Sequence, residues 1–242
     1  MRFKAKFSFS DNFIPFNYRR HFLSLIKEAF SISNPEFYKK YYENKKKNAI
    51  KPFTFSVSFI PSKNQPEKGK IFLDSKIVNF YFSSYSYEDL IILYNGFNRF
   101  KRNELHFFNN KIKLINISYI KQKNITENKI TFKTLSPIIV RELKDKKGKG
   151  FLTASHPDFT KNLFYNVRTL CRNFLKKEIK EEDFKIVSFQ FTSKKITLYG
   201  DEIGNKGTIT IIAPTNILKL IYDAGLGAKR SQGFGMLEVI GQ

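Results

Sequence analysis

The first nine residues place Phe3, Ala5, Phe7 and Phe9 on one side of an extended chain and Arg2, Lys4, Lys6 and Ser8 on the other. A period of two with one apolar face predicts a half-buried strand. Beyond Pro15 and Asn17 the spacing changes. Phe22, Leu25, Ile26, Ala29 and Phe30 recur at three and four, which predicts a helix to about Ser31. Ser33-Asn34-Pro35 interrupts it, and Pro35 suits the first turn of a second, short helix reaching about Glu43. Residues 45–48 read as a basic loop. Phe53, Phe55, Val57 and Phe59 then alternate with Thr54, Ser56 and Ser58, a second clear strand. Residues 64–69 read as a turn, 70–82 as a strand or hairpin arm, 88–100 as a helix and 111–121 as a strand.

The second half repeats this grammar. A strand is predicted over 129–140, with Pro137 interrupting it, and a flexible basic loop over 145–150. A long helix over 159–180 turns Leu163, Val167, Leu170, Cys171 and Phe174 inward. A strand pair over 184–191 and 194–199 closes around a tight turn, and a strand follows at 208–213. Pro214 opens a helix to about Ala224, and 233–240 ends the chain as a strand. The first half has the order β-α-β-β-α-β, the ferredoxin-like unit, and the second repeats it more loosely, with a strand pair in the place of its second strand. The fold class is therefore α+β, two tandem ferredoxin-like domains over 1–123 and 124–242. The boundary lies in a Lys-, Asn-, Gln- and Thr-rich stretch.

Composition narrows the chemistry. Lys and Arg number 43 against 21 Asp and Glu, a formal charge of +22 over 242 residues. Such a chain calls for a polyanionic partner: nucleic acid first, an anionic membrane surface second. A compositional bias toward Lys, Asn, Ile and Phe contributes to the charge, but Asp and Glu do not rise with it. A single cysteine, Cys171, excludes a disulfide framework and a multi-cysteine metal site. His21, His106 and His156 are scattered, so no metal site and no cofactor is expected. No apolar run is long enough to span a bilayer, and residues 1–9 lack a signal-peptide core. A soluble, cytoplasmic protein is expected.

One motif changes the picture. Residues 225–235 read Gly225-Leu226-Gly227, five residues including Lys229 and Arg230, then Gly233-Phe234-Gly235. Glycines permit positive φ and close approach of another chain, and they leave N–H groups able to face phosphate. The segment lacks the Lys-Ser/Thr of a Walker loop and follows a helix rather than a strand, so it is not a dinucleotide fingerprint.

With that motif the chain resembles the CRISPR repeat-processing endoribonucleases. The resemblance rests on the opening strand and Ile14-Pro15-Phe16-Asn17-Tyr18, on Ser33-Asn34-Pro35 and on Lys51-Pro52-Phe53-Thr54-Phe55-Ser56. Phe132-Lys133-Thr134-Leu135-Ser136-Pro137-Ile138-Ile139-Val140 and the glycine-rich terminus complete it. It implies binding of the repeat within CRISPR precursor RNA. It also implies metal-independent cleavage, in which the 2′-OH attacks the adjacent phosphate and leaves 2′,3′-cyclic phosphate and 5′-OH ends. A monomer or homodimer is implied, with other CRISPR effector subunits as further partners.

Many members carry a histidine at the end of the second short helix; here Tyr42 stands about there, next to Tyr41. A tyrosine with a pKa of about 10 is a poor base at neutral pH, although neighbouring lysines could lower it. Lys51 matches a family cation before the strand and is the expected phosphorane stabiliser. Tyr42 or Tyr41 is the proton-transfer or orienting group. Lys27 stands where some members carry a tyrosine, and His21 is the one imidazole near this region in sequence. The plain alternative for Tyr41 and Tyr42 is half-buried packing at a helix end. For RNA binding, the resemblance points to Gly225, Gly227, Lys229, Arg230, Gly233 and Gly235. Independently, Lys161, Tyr165, Arg168, Arg172 and Lys176 share one side of the long helix and make a basic face. Two other readings stand beside the nuclease. One is a non-catalytic subunit that binds repeat or guide RNA; the other is a structural RNA-binding protein of the ribosome-associated kind.

Overall fold

The computed structural model describes residues 1–43, 49–65, 67–143, 150–197 and 201–242. The lysine runs at 45–47 and 144–149 expected to form basic loops lie outside these residues. The chain divides into two compact units, Met1–Ala49 with Ser56–Lys121, and Ile50–Phe55 with Gln122–Gln242. No helix among the described residues is long and apolar enough to cross a membrane.

The first unit contains β1 (Arg2–Phe9), β2 (Phe13–Pro15), α1 (Tyr18–Ser33), α2 (Pro35–Tyr42), β3 (Phe53–Ser58), β4 (Lys70–Phe72), β5 (Ile77–Ser84), α3 (Tyr87–Arg99), β6 (Glu104–Phe107) and β7 (Asn110–Ile120). The strand β3 belongs to the second unit up to Phe55 and to the first from Ser56. The main sheet runs β3-β5-β1-β7-β6. Without the added edge strand β6, the order is last, first, third, second, which is the ferredoxin-like arrangement of a β-α-β-β-α-β chain. The alternation in β1 does what its spacing demands: Phe3, Ala5, Phe7 and Phe9 are buried. Phe22 of α1 stacks on Phe80 of β5 at 5.4 Å, and Phe80 stacks on Phe97 of α3 at 5.2 Å. Helices α1 and α3 meet where a Cβ on Gly96 would lie 2.1 Å from the Ala29 carbonyl oxygen, so a larger residue would force them apart. Asn34 accepts from the Phe37 N–H and starts α2, with Pro35 in its first turn.

The second unit contains β8 (Lys129–Thr134), α4 (Phe159–Leu170), β9 (Lys185–Thr197), β10 (Asp201–Ile212), α5 (Thr215–Ala224) and β11 (Leu237–Gly241). Its sheet, β11-β8-β10-β9, repeats the same arrangement. Several expectations are corrected. The strand pair expected around a turn near 192–193 is one continuous strand, β9. Thr192 pairs with Lys206 and Ser193 with Asn205, and the Ser193 hydroxyl donates to the Asn205 side chain. The hairpin partner is β10, which begins at Asp201 rather than at 208. The long helix stops at Leu170 and continues as a wider turn over Cys171–Leu175. It is ended by Lys176 at φ +54°, and the returning chain buries Ile179. The last strand starts at Leu237 instead of 233, because Gly233 and Gly235 both have positive φ. Strands β2 and β6 are additions the pattern did not reveal, and the strand or hairpin arm expected over 70–82 divides into β4 and β5. Cys171 is fully buried, which pushes its thiol up to about 11 and makes it a core residue.

Candidate functional site

Helix α2 ends on Tyr41 and Tyr42, which contact Asp89 of α3 and Lys27 of α1, with the Tyr38 ring against that of Tyr42. The Tyr41 hydroxyl donates to Asp89 Oδ2 at 2.9 Å. Asp89 is 1% exposed, and its N–H is held by the N-cap hydroxyl of Ser86. Tyr42 lies under the Lys27 ammonium, 5.3 Å from its ring centroid. Burial, reinforced by Asp89, raises the pKa of both phenols. This corrects the expectation that nearby lysines would lower Tyr42: the cation sits over the ring face, and desolvation dominates. Both tyrosines therefore stay protonated at neutral pH and offer O–H donors, not phenolate bases. His21 is elsewhere on α1. Six residues separate it from Lys27, about 9 Å along the axis and on another side of the helix. Its ring packs 5.3 Å from Phe107 and 5.5 Å from Phe108. Burial, then Arg20, lowers its pKa.

Burial also raises the pKa of Asp89, against hydrogen bonds from Ser86 and Tyr41. The sign follows from linkage. A carboxyl raised in the folded state contributes stability that is fully present below its unfolded pKa, about 3.9, and lost as pH rises through the folded value. Asp89→Asn is therefore expected to lose less stability than the wild type between pH 4 and pH 7 in urea melts. Identical pH dependence in the two proteins would contradict this origin of the shift.

The second unit gathers Lys51 and the glycine-rich segment. Lys51 is half-buried and leads into β3 three residues before Thr54. The buried Thr54 hydroxyl donates to the Phe234 carbonyl at 2.7 Å. Ser136 donates to the Phe55 carbonyl and accepts the Met236 N–H. The stretch 50–55 is thus fastened to residues 234–236, a contact of |i−j| = 180 between Thr54 and Phe234 that spacing could not indicate.

The interior of the glycine-rich segment is committed to the protein. The N–H of Gly225 donates to Ile221, that of Gly233 to Arg230 and that of Gly235 to Pro137, which corrects the expectation that these amides stay open for phosphate. Arg230 is 9% exposed and donates to the Ala224 carbonyl at 2.8 Å, and burial pushes its pKa down to about 10. The Lys229 ammonium pairs with the buried Glu202 and lies 4.8 Å from the Phe151 ring centroid. Ala228, Ser231 and Gln232 are partly exposed, the Lys229 side chain is only 11% exposed, and Gly225, Gly227, Gly233 and Gly235 are buried.

On α4 and the turn after it, Lys161, Tyr165, Arg172 and Lys176 are exposed and Arg168 is half-exposed, while Leu163, Val167 and Leu170 face the core. Arg168 and Arg172 both grip Glu178, which holds that carboxylate down at about 2. Two of the face's cations therefore carry a counter-charge that sequence spacing did not reveal. Lys161 lies instead in a cleft of about 430 Å³ with Lys185, Glu181 and Phe164.

Known proteins share this architecture and its order along the chain. Residues 13–116 match the family model described as CRISPR-associated protein Cas6, N-terminal, and residues 120–239 match CRISPR associated protein Cas6, C-terminal. Over 236 residues the chain is 29% identical to an endoribonuclease-like Cas6 protein of Pyrococcus furiosus, covering 94% of this chain and 92% of that one. Over 238 residues it is 26% identical to a CRISPR-associated endoribonuclease Cas6 of Methanocaldococcus jannaschii, covering 94% and 89%. The solved structure of a Cas6-related protein of Pyrococcus furiosus superposes with a TM-score of 0.84 at 25% identity, over 100% of this chain and 99% of that one. Matched in both halves, in order and almost end to end, the chain belongs to the Cas6 family of CRISPR repeat-processing proteins.

Proposed function

We propose that this chain binds the repeat of a CRISPR precursor transcript and cuts it without a metal ion. The observation that carries the reading is the fastening of the Lys51 stretch to the glycine-rich segment through Thr54 and Phe234, two sequence marks of the family brought into one compact unit. In the reaction, the 2′-oxygen bonds to the adjacent phosphorus and the P–O5′ bond breaks. The products are a 2′,3′-cyclic phosphate and a 5′-OH. Lys51 stabilises the charge that develops on the phosphorane. Tyr42 and Tyr41, held as phenols, orient the 2′-OH or donate toward the leaving oxygen rather than take a proton. The glycine-rich segment meets RNA through its partly exposed residues, Ala228, Ser231 and Gln232, while Lys229, paired with Glu202, Arg230 and the glycines shape the wall behind. Lys161, Arg168 and Arg172 add a basic face.

With no imidazole in this scheme, hydroxide or water removes the 2′ proton. The cleavage rate in EDTA is therefore expected to rise steadily with pH, without the inflection near 6.5 that a histidine base produces. End-group analysis of the products checks the chemistry. A histidine-like inflection would show that an imidazole is the base.

A second reading is favoured by one specific observation: the end of α2 carries tyrosines whose pKa is raised, so this site supplies no base. On that reading the chain is a repeat- or guide-RNA-binding subunit of an effector complex. Tight binding with the repeat left intact over a long incubation supports it over the nuclease.

A further inference from the structure

The β6–β7 hairpin is closed by Phe108 and Asn109, because Phe107 pairs with Asn110. Phe108 adopts φ +58°, a left-handed conformation that bulky side chains rarely take, yet it is 44% exposed. Closing a two-residue turn calls for Gly or Asn at such a position, so the aromatic is not explained by the turn. Nor does burial of the ring offset the strain. Strain of this kind persists where the surroundings hold it, and it concentrates at ligand contacts.

The surroundings here are rigid. Asn110, 5% exposed, accepts from the Ser10 hydroxyl at 2.6 Å and the Asp11 N–H at 3.1 Å, and donates to the carbonyls of Asp11 and Phe13. This locks the bend after β1 against the hairpin. The His21 ring backs Phe108 at 5.5 Å and 62°. Beside the exposed ring opens a cleft of about 340 Å³, lined by Ser10, Asp11, His106, Phe108, Asn109, Asn110 and Lys111. Lys76 Nζ stands 2.6 Å from the Ser10 carbonyl at its rim. Among the described residues, Lys111 pairs with Glu104 through an exposed contact at 3.5 Å, which contributes little and is readily exchanged.

We propose that this turn is a stacking site for an unpaired nucleobase of bound RNA, with the Phe108 ring as platform and Lys76 and Lys111 beside the flanking phosphates. The proposal rests on the reading that the chain's ligand is RNA. The Asp11 carboxylate repels phosphate, so the base occupies its side of the cleft and offers amino hydrogens to it. Stacking on an aromatic ring tolerates any base, so the site acts on unrelated single strands as well as on the repeat.

The chain contains no tryptophan, so Phe108→Trp introduces a single indole where the base would stack. Its fluorescence is expected to be quenched on titration with decaadenylate. Phe108→Gly removes the ring while relieving the backbone. It should fold at least as well as the wild type but bind both decaadenylate and repeat RNA about tenfold more weakly. Unchanged affinities in the glycine variant, or an indole indifferent to RNA, would overturn the proposal. If the wild type binds repeat and decaadenylate alike, the repeat-specific function fails while the stacking site stands on the glycine variant's loss. If the wild type binds neither RNA, both fail.

Discussion

Gly235→Ala is expected to unfold the second unit at temperatures where the wild type is fully folded. Gly235 has φ +71°, and a Cβ there would lie 1.9 Å from the Leu226 carbonyl oxygen. That oxygen is backbone, and it cannot swing aside as a side-chain end would. The two arms of the segment are also tied where the clash occurs. The Leu226 N–H donates to the Gly235 carbonyl at 2.8 Å, and the Gly235 N–H donates to the Pro137 carbonyl at 2.8 Å. Relieving the contact breaks buried hydrogen bonds that cost about 1–3 kcal/mol each when left unmade. The left-handed conformation adds about 1–2 kcal/mol for any residue with a Cβ. The total, roughly 3–8 kcal/mol, is comparable with the entire stability of a domain, about 5–15 kcal/mol. Gly69→Ala is the control: φ there is +87°, but nothing lies within 4 Å of the added Cβ. Thermal melts followed by circular dichroism should show a small shift for Gly69→Ala and loss of the transition, or a collapse of Tm, for Gly235→Ala. Similar modest shifts in the two variants would mean that the segment has room to relax.

The same segment marks the limit of what residue order conveys. Periodicity made the first β-α-β-β-α-β run legible, because Phe3, Phe7, Phe22 and Phe97 are core residues at strand or helix spacing and are fully buried, and it showed the first helix of the second run through Leu163, Val167 and Leu170. It missed β2 because three residues are too short to show a period. It split β9 because Thr192-Ser193 looks like a turn until Asn205 is placed opposite, where its side chain accepts the Ser193 hydroxyl. At the site, Lys229 and Arg230 read as an open basic pair. Their partners, Glu202 and the Ala224 carbonyl, lie 27 and 6 positions away and carry no local signal. The depth at which Tyr41 and Tyr42 sit is likewise set by Asp89, 48 residues from Tyr41. Fold class follows from local spacing, whereas protonation state and accessibility are tertiary properties.

Lys51→Ala is expected to slow repeat cleavage by about a hundredfold to a thousandfold, the range for removing one group aimed at developing charge, while weakening RNA binding only severalfold. The asymmetry follows from where the charge appears. A phosphodiester carries one negative charge in the ground state, and the phosphorane gathers a second at the same phosphorus. A fixed cation beside it is therefore worth more in the transition state than in the bound complex. Position supports the assignment: Lys51 directly precedes Pro52, and the strand that follows is pinned at Thr54 to Phe234 and at Phe55 to Ser136, so the residue leaves a rigid anchor. Lys51→Arg keeps the charge but spreads it over a planar fork, and should recover part of the rate. Single-turnover rates and dissociation constants measured on the same repeat RNA separate the two effects, and a melt of each variant checks that the second unit stays folded. Equal losses in rate and affinity would make Lys51 a positioning residue for the RNA backbone. A wild-type rate in Lys51→Ala would move the chemistry away from this strand altogether, leaving the Lys27–Tyr42 contact at the end of α2 as the place to look for it.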